Sequence, residues 1–380
     1  MPDLPSALAK WFPLVPRARP LCASLDERID ALATMTQQAH TTTEAAAALN
    51  LTALVASDIG AGELARRMCW GQFWIFSDHA PLDHRSAGMA VEPLINLARL
   101  AIRNGDGDRA YRILDQTFTA ATEGTDTAID EHRVSMASLA ADWAGRQEMR
   151  ERVWVALLSD GTRALTRAGR WAEAQRSVLR HKGIGDRLLD GRQTAIIANL
   201  AAGAFDTAQA LIADTAVTDL WEQALARYFQ AVADHARGRA NTTALTDLTD
   251  RVTRLELPTE QRLFHIRLGL SALDLTRMSG RDSKEIAIIM GQVTQDIGDA
   301  YAARDLLASA SFRSEIDPET AAHLATMLQQ SGLDHSADPP SPQRTRARRI
   351  GSDSDPTLLD RLKSITETAT AQLSRWLANC

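Results

Sequence analysis

One short word recurs along this chain and limits what it can fold into. An apolar, Ala-rich stretch is followed by a glycine, four residues, an alanine and a second amphipathic stretch. It reads LTRAGRWAEA over residues 165–174 and LAAGAFDTA over residues 200–208. Gly60 with Ala65 and Gly105 with Ala110 repeat it. The glycine lets the backbone reverse between two antiparallel helices, and the small alanine lets the second helix lie close against the first. A chain punctuated in this way builds helix pairs and leaves no place for a β-sheet of any size. The pattern decays elsewhere: Gly145 lacks its alanine, and after Gly238 the alanine comes one position late, at Ala244.

Gly169 and Gly203 stand 34 positions apart, the period of a tetratricopeptide (TPR) helix–turn–helix unit. On these words the chain resembles a degenerate TPR-like helical-repeat protein over about residues 50–310, with most of the bulky aromatic positions of well-formed units absent. The resemblance implies an all-α fold, antiparallel helix pairs stacked as an α-solenoid, and a binding role. It carries over no catalytic residue.

Composition agrees with helix, since Ala and Leu dominate and aromatics make up only 5%. Usage rich in Ala, Arg and Asp points to a GC-rich, actinobacterial genome. The formal net charge of −6 weighs against nucleic acid as a partner, because phosphates want a basic face. Cys22, Cys69 and Cys380 are too few and too scattered for a disulfide framework or a zinc knuckle, which points to the cytoplasm. Pro2, Pro5, Pro13, Pro16 and Pro20 interrupt any signal-peptide core. No apolar run reaches the ~18 residues that would span a membrane, so no membrane role is expected.

Four segments follow from these shifts in composition. Residues 1–24 form a Pro-rich lead and 25–330 the helical-repeat domain. Residues 331–356, with Arg344, Arg346, Arg348 and Arg349, read as a disordered linker. Residues 357–380 read as a separate amphipathic helix. Its Leu358, Leu362, Ile365, Leu373 and Trp376 make one narrow apolar face, suited to a groove or to self-association. Inside the repeat domain, Thr41 with Glu44 has the form of a capping box and Pro93 suits a first helical turn. The spacing of Ile129, Val134, Met136, Leu139 and Trp143 predicts a helix over 128–144.

The richest polar text lies over residues 66–85. Arg66, Arg67, Trp70, Gln72 and Trp74 could form an anion-holding pocket with a stacking wall, and Asp78, His79, Asp83 and His84 could move protons. The plainer reading makes Trp70, Phe73 and Trp74 core residues and leaves the loop polars in solvent. His79 and His84, five apart around Pro81, share no helical face, and no His-Glu-x-x-His or Cys-x-x-Cys word supports a metal. The stretch 104–115 lacks the sixth-position Gly and twelfth-position Glu of a calcium loop, with Arg109 and Asp115 in those places. No phosphate-binding loop, dinucleotide fingerprint or nucleophile elbow is present, so no cofactor is expected.

Two functions of different class remain. In the first, a helical-repeat scaffold binds a protein or peptide on the face formed by the first helix of each pair. Asn96, Arg99, Arg103, Arg163, Arg167, Gln193 and Asn199 would lie there, and their Arg content favours an acidic guest. In the second, the chain is an enzyme or enzyme subunit of a specialised-metabolite pathway, acting through the 66–85 cluster.

Overall fold

The structure, a computed structural model, describes residues 8, 10–239, 242–333 and 356–378. Pro2, Pro5, Cys380 and the four linker arginines lie outside the described residues. The chain forms two compact units, one of Leu25–Ala164 with Gly332–Cys380 and one of Met1–Ser24 with Leu165–Ser331. Helix predominates in both.

The first unit runs α1 (Leu25–Gln37), α2 (Thr42–Asp58), α3 (Gly62–Asp78), α4 (His84–Ala90), α5 (Glu92–Arg103) and α6 (Gly107–Glu123). A hairpin of β1 (Asp126–Ile129) and β2 (His132–Ser135) precedes α7 (Trp143–Ala156), a π-helical turn (Leu157–Gly161) and α8 (Thr162–Arg167). The division between the units falls inside α8. The second unit continues with α9 (Trp171–Arg180), α10 (Asp190–Ala201), α11 (Phe205–Ala213), α12 (Leu220–Ala236), α13 (Thr242–Thr253) and α14 (Arg262–Met278). It ends with α15 (Lys284–Ile297), α16 (Ala300–Leu307), α17 (Ala310–Arg313) and α18 (Pro318–Gln330). The last helix, α19 (Pro356–Leu377), belongs to the first unit.

The recurrent word does what its chemistry demands. Gly169 and Gly203 adopt φ of 72° and 73°, a left-handed conformation that costs other L-residues about 1 kcal/mol or more. The reversal is closed by two backbone bonds that satisfy otherwise orphaned helix-end carbonyls. Gly203 N–H donates to Leu200 O at 3.1 Å, and Ala204 N–H to Asn199 O at 2.9 Å. Gly60, Gly105, Gly169, Gly238 and Gly280 sit in the same pair of bonds, so six helix pairs share one hinge: α2–α3, α5–α6, α8–α9, α10–α11, α12–α13 and α14–α15. The alanines of the four clean words, Ala65, Ala110, Ala174 and Ala208, are all fully buried, where a larger side chain would hold the helices apart.

Two expectations are corrected. Residues 126–135 form an antiparallel hairpin, not a helix, with Ile129 paired to His132 and Val134 to Thr127. Ile129, Val134 and Met136 are fully buried, but the last two alternate with period two, and Asp130 takes φ 50° at a tight turn held by Arg109. Trp143, expected in the core, is 71% exposed at the start of α7, and Gly145 lies inside that helix, so it marks no hinge.

The expected segments also differ from the two observed units. Residues 25–330 are divided at Ala164, and the Pro-rich lead packs with 165–331. Helix α19 is no separate element: it packs on α2, α1 and α3. Leu362, Ile365, Ala369, Leu373 and Leu377 form its buried stripe, and Arg361 pairs with Asp30 at 2.6 Å. The face assigned to self-association is therefore engaged within its own unit. Leu358 and Trp376 lie at its margin, half-buried.

Candidate functional site

The structure packs the aromatic side chains of the 66–85 cluster together and gives its polar ones separate partners. Trp70 is buried, stacked on Trp74 at 5.8 Å between ring centroids and edge-on to Phe73 at 6.0 Å. His132 of β2, which the sequence did not point to, covers the Trp70 ring at 4.1 Å. Gln72 is buried and donates to Ala46 O at 3.1 Å. These residues join α3 to α2 and to the hairpin.

Arg66 is held by Glu63 at 3.2 Å and Glu131 at 2.8 Å, and Arg67 is exposed. Of the four proposed proton carriers, Asp78, Asp83 and His84 are exposed. Asp83 caps α4 by accepting Ser86 N–H at 2.8 Å, and the Nδ1 of His79 faces Ile75 O at 2.8 Å. Local backbone thus occupies Asp83 and His79. Among the described residues, no three or more His, Cys, Asp or Glu side chains gather where a metal could be held. No helix among them is long and apolar enough to cross a membrane. The Cys69 thiol is pushed up to about 12 by burial, which makes it a poor nucleophile.

Of the residues assigned to the first-helix face, Asn96 and Arg99 touch one another, and the rest have separate surroundings. In the first unit, Asn96 of α5 bridges Asn50 of α2 at 2.9 Å and Arg99 at 3.0 Å. Arg99 also pairs with Asp160 at 2.8 Å. Arg103 reaches the buried Asp58 at 2.7 Å, where Arg28 of α1 also ends. Arg163 is half-buried.

In the second unit, Arg167 ends α8 and is exposed, and Asn199 turns back on its own helix to Ala195 O at 2.7 Å. Gln193 of α10, fully buried, does more. Its Oε1 accepts Leu14 N–H at 2.7 Å, while its Nε2 donates to Leu14 O at 2.5 Å and Leu188 O at 2.6 Å.

Gln193 belongs to a larger arrangement: residues 10–24 lie across the first helix of every hinged pair in the second unit. Phe12, fully buried, stacks on Tyr228 at 5.2 Å and meets Phe229 at 5.3 Å, both on α12. Its carbonyl accepts from Thr166 of α8 at 3.4 Å. Trp11 lies 5.7 Å from the Arg267 guanidinium of α14. Arg17 forms an ion pair with Asp190 of α10. Arg19 N–H donates to Glu260 O at 3.1 Å, and Cys22 N–H to Asp299 Oδ1 at 3.1 Å. A cleft of about 580 Å³ opens beside the segment, lined by Val15, Pro16, Arg187, Leu220, Trp221 and Leu257.

Sequence reasoning missed this segment. Its prolines read only as breaks in a signal-peptide core, yet Trp11, Phe12 and Leu14 among them were a signal for extended chain with anchors. Comparison with protein-family models, with curated proteins and with solved structures returns no match.

Proposed function

We propose that this chain is a helical-repeat binding protein whose glycine-hinged pairs stack in TPR-like fashion and hold an extended peptide on the face of their first helices. One observation carries the reading. The Gln193 carboxamide makes both backbone hydrogen bonds of Leu14 while Phe12 fills an aromatic slot on the neighbouring first helix. Backbone bonds hold any sequence, and side-chain slots choose among sequences, which is how extended peptides are recognised. The face that would take a partner already carries a peptide-like segment of the same chain. Such a segment acts at high effective concentration, so a partner must outcompete it. Asp78, Asp83 and His84 are exposed, and His79 and Asp83 are held by local backbone, so the enzymatic alternative has no comparable support.

The test is a labelled synthetic peptide of residues 10–24, titrated against the full chain and against a full chain carrying Phe12→Ala and Leu14→Ala. The peptide should bind the variant more tightly than the wild type, and adding Gln193→Leu should weaken that binding at least tenfold. Absence of binding to the variant, with its own segment shown by hydrogen exchange to be loosened, would refute the reading.

A further inference from the structure

The cleft beside residues 10–24 concentrates apolar surface that the second unit leaves exposed. Its volume of about 580 Å³ falls within the range of small-ligand sites and takes one or two side chains of a guest. Leu189, which precedes α10, and Leu220, which opens α12, both line it and are 45% and 67% exposed. Val217, in the turn that leads to Leu220, is exposed as well. Single exposed leucines are ordinary, but several around one concavity mark a place of contact. Trp221 is the most buried of the lining residues and is fixed edge-on to Phe264 at 5.6 Å, so the wall a guest would meet is set beforehand.

The charge around the cleft is one-sided. Arg187 is the one cation among the lining residues, and it donates through Nε at 3.0 Å and Nη2 at 2.9 Å to the fully buried Glu222. Its Nη2 also meets Asp219. Glu256, on the same lining, is exposed, and its carboxylate makes no ion pair or hydrogen bond among the described residues. Two neighbouring cations are turned elsewhere, Arg17 to Asp190 and Arg262 to Leu257 O at 3.2 Å. One guanidinium thus faces three carboxylates, and a rim with excess negative charge favours a guest that carries a cation. Val15 and Pro16 supply the remaining wall. They follow directly on Leu14, so the cleft keeps this shape only while Gln193 holds the segment in place.

We propose that this cleft binds a partner peptide through one large apolar side chain and an adjacent lysine or arginine. The apolar group lies against Leu189, Leu220 and Trp221, and the cation turns toward Glu256 and Asp219. The site goes beyond the peptide-holding reading. That reading needs residues 10–24 displaced, whereas the cleft needs them seated, so the two modes exclude one another.

The test uses the full chain and a labelled hexapeptide with one phenylalanine followed by one lysine, read by fluorescence anisotropy. Two control peptides carry serine for the phenylalanine or glutamate for the lysine. The phenylalanine–lysine peptide should bind the wild type most tightly. Leu220→Ser should weaken it about tenfold through lost apolar contact, and Glu256→Gln about twofold to fivefold. In Glu256→Lys the preference should invert, so that the glutamate peptide binds better than the lysine one. Leu220 and Glu256 are exposed, so these changes spare the fold, and circular dichroism checks this. The chain carrying Phe12→Ala and Leu14→Ala should lose this peptide while it gains the peptide of residues 10–24, which separates failure of the cleft from failure of the peptide-holding reading. The proposal is overturned by no binding to the wild type, by equal binding of the lysine and glutamate peptides, or by binding unchanged in both Leu220→Ser and Glu256→Lys. Binding retained once hydrogen exchange shows the segment loosened overturns it too. So does dimerisation in sedimentation velocity that Leu220→Ser abolishes, which would assign the cleft to a second copy of the chain.

Discussion

Replacing Gln193 by Leu removes three hydrogen bonds and little volume, which isolates what the carboxamide does. Leu14 N–H, Leu14 O and Leu188 O all lose their partner, in a place where Gln193 is fully buried and Leu14 is 2% exposed. A buried group left unpaired costs about 1–3 kcal/mol, and local relaxation recovers part of that. A net loss of about 3 kcal/mol in holding the segment is therefore expected, equivalent to about a hundredfold faster opening of the Leu14 amide. Hydrogen exchange read by mass spectrometry over residues 10–24 measures this directly. It also avoids a global unfolding free energy, which two compact units need not share. Exchange should quicken from Phe12 to Arg19 and stay unchanged in α2 and α19. Unchanged protection of Leu14 in a folded Gln193→Leu chain would show that packing of Phe12 and Trp11, and not the carboxamide, holds the segment.

Other expectations follow from the same structure. At Gly203 an added Cβ meets nothing within 4 Å, so Gly203→Ala should cost only backbone strain of about 1 kcal/mol. Gly191→Ala would place a Cβ 2.1 Å from Gly183 O and should cost at least twice as much, as denaturant midpoints would reveal. Leu373→Ala, at a fully buried position of α19, should cost about 2–5 kcal/mol and speed proteolysis of that helix. Burial alone would raise the Glu222 carboxyl, but the Arg187 fork and the Thr218 N–H hold it at about 2, below its usual 4.5. A depressed carboxylate stabilises above its unfolded pKa and loses that contribution as pH falls through its folded one. Stability should therefore drop between about pH 4.5 and 2. Glu222→Gln should flatten that acid limb in thermal melts.

The hinges were legible in the text because everything they need is local. A positive φ needs a glycine, the closing bonds reach back only five residues, and the alanine that follows needs only to be small. The capping of α2 by Thr41, which accepts Glu44 N–H at 3.2 Å, was legible for the same reason. So was most of the α19 stripe, since Leu362, Ile365 and Leu373 repeat with the helix period. The hairpin was misread because only Val134 and Met136 show the strand period, too short a run to oppose the helical spacing read over 128–144, and the turn at Asp130 decides it.

Tertiary structure alone decided the rest. Nothing near Phe12 in sequence indicates Tyr228, and nothing near Leu14 indicates Gln193 179 positions away. Likewise Arg103 and Arg167 read alike as inner-face cations, yet one is neutralised by a buried Asp58 and the other is exposed, with no ion pair among the described residues. A residue's type sets which bonds it can form. Which partner reaches it depends on how distant helices pack, and that information is carried by the whole chain and not by its neighbours.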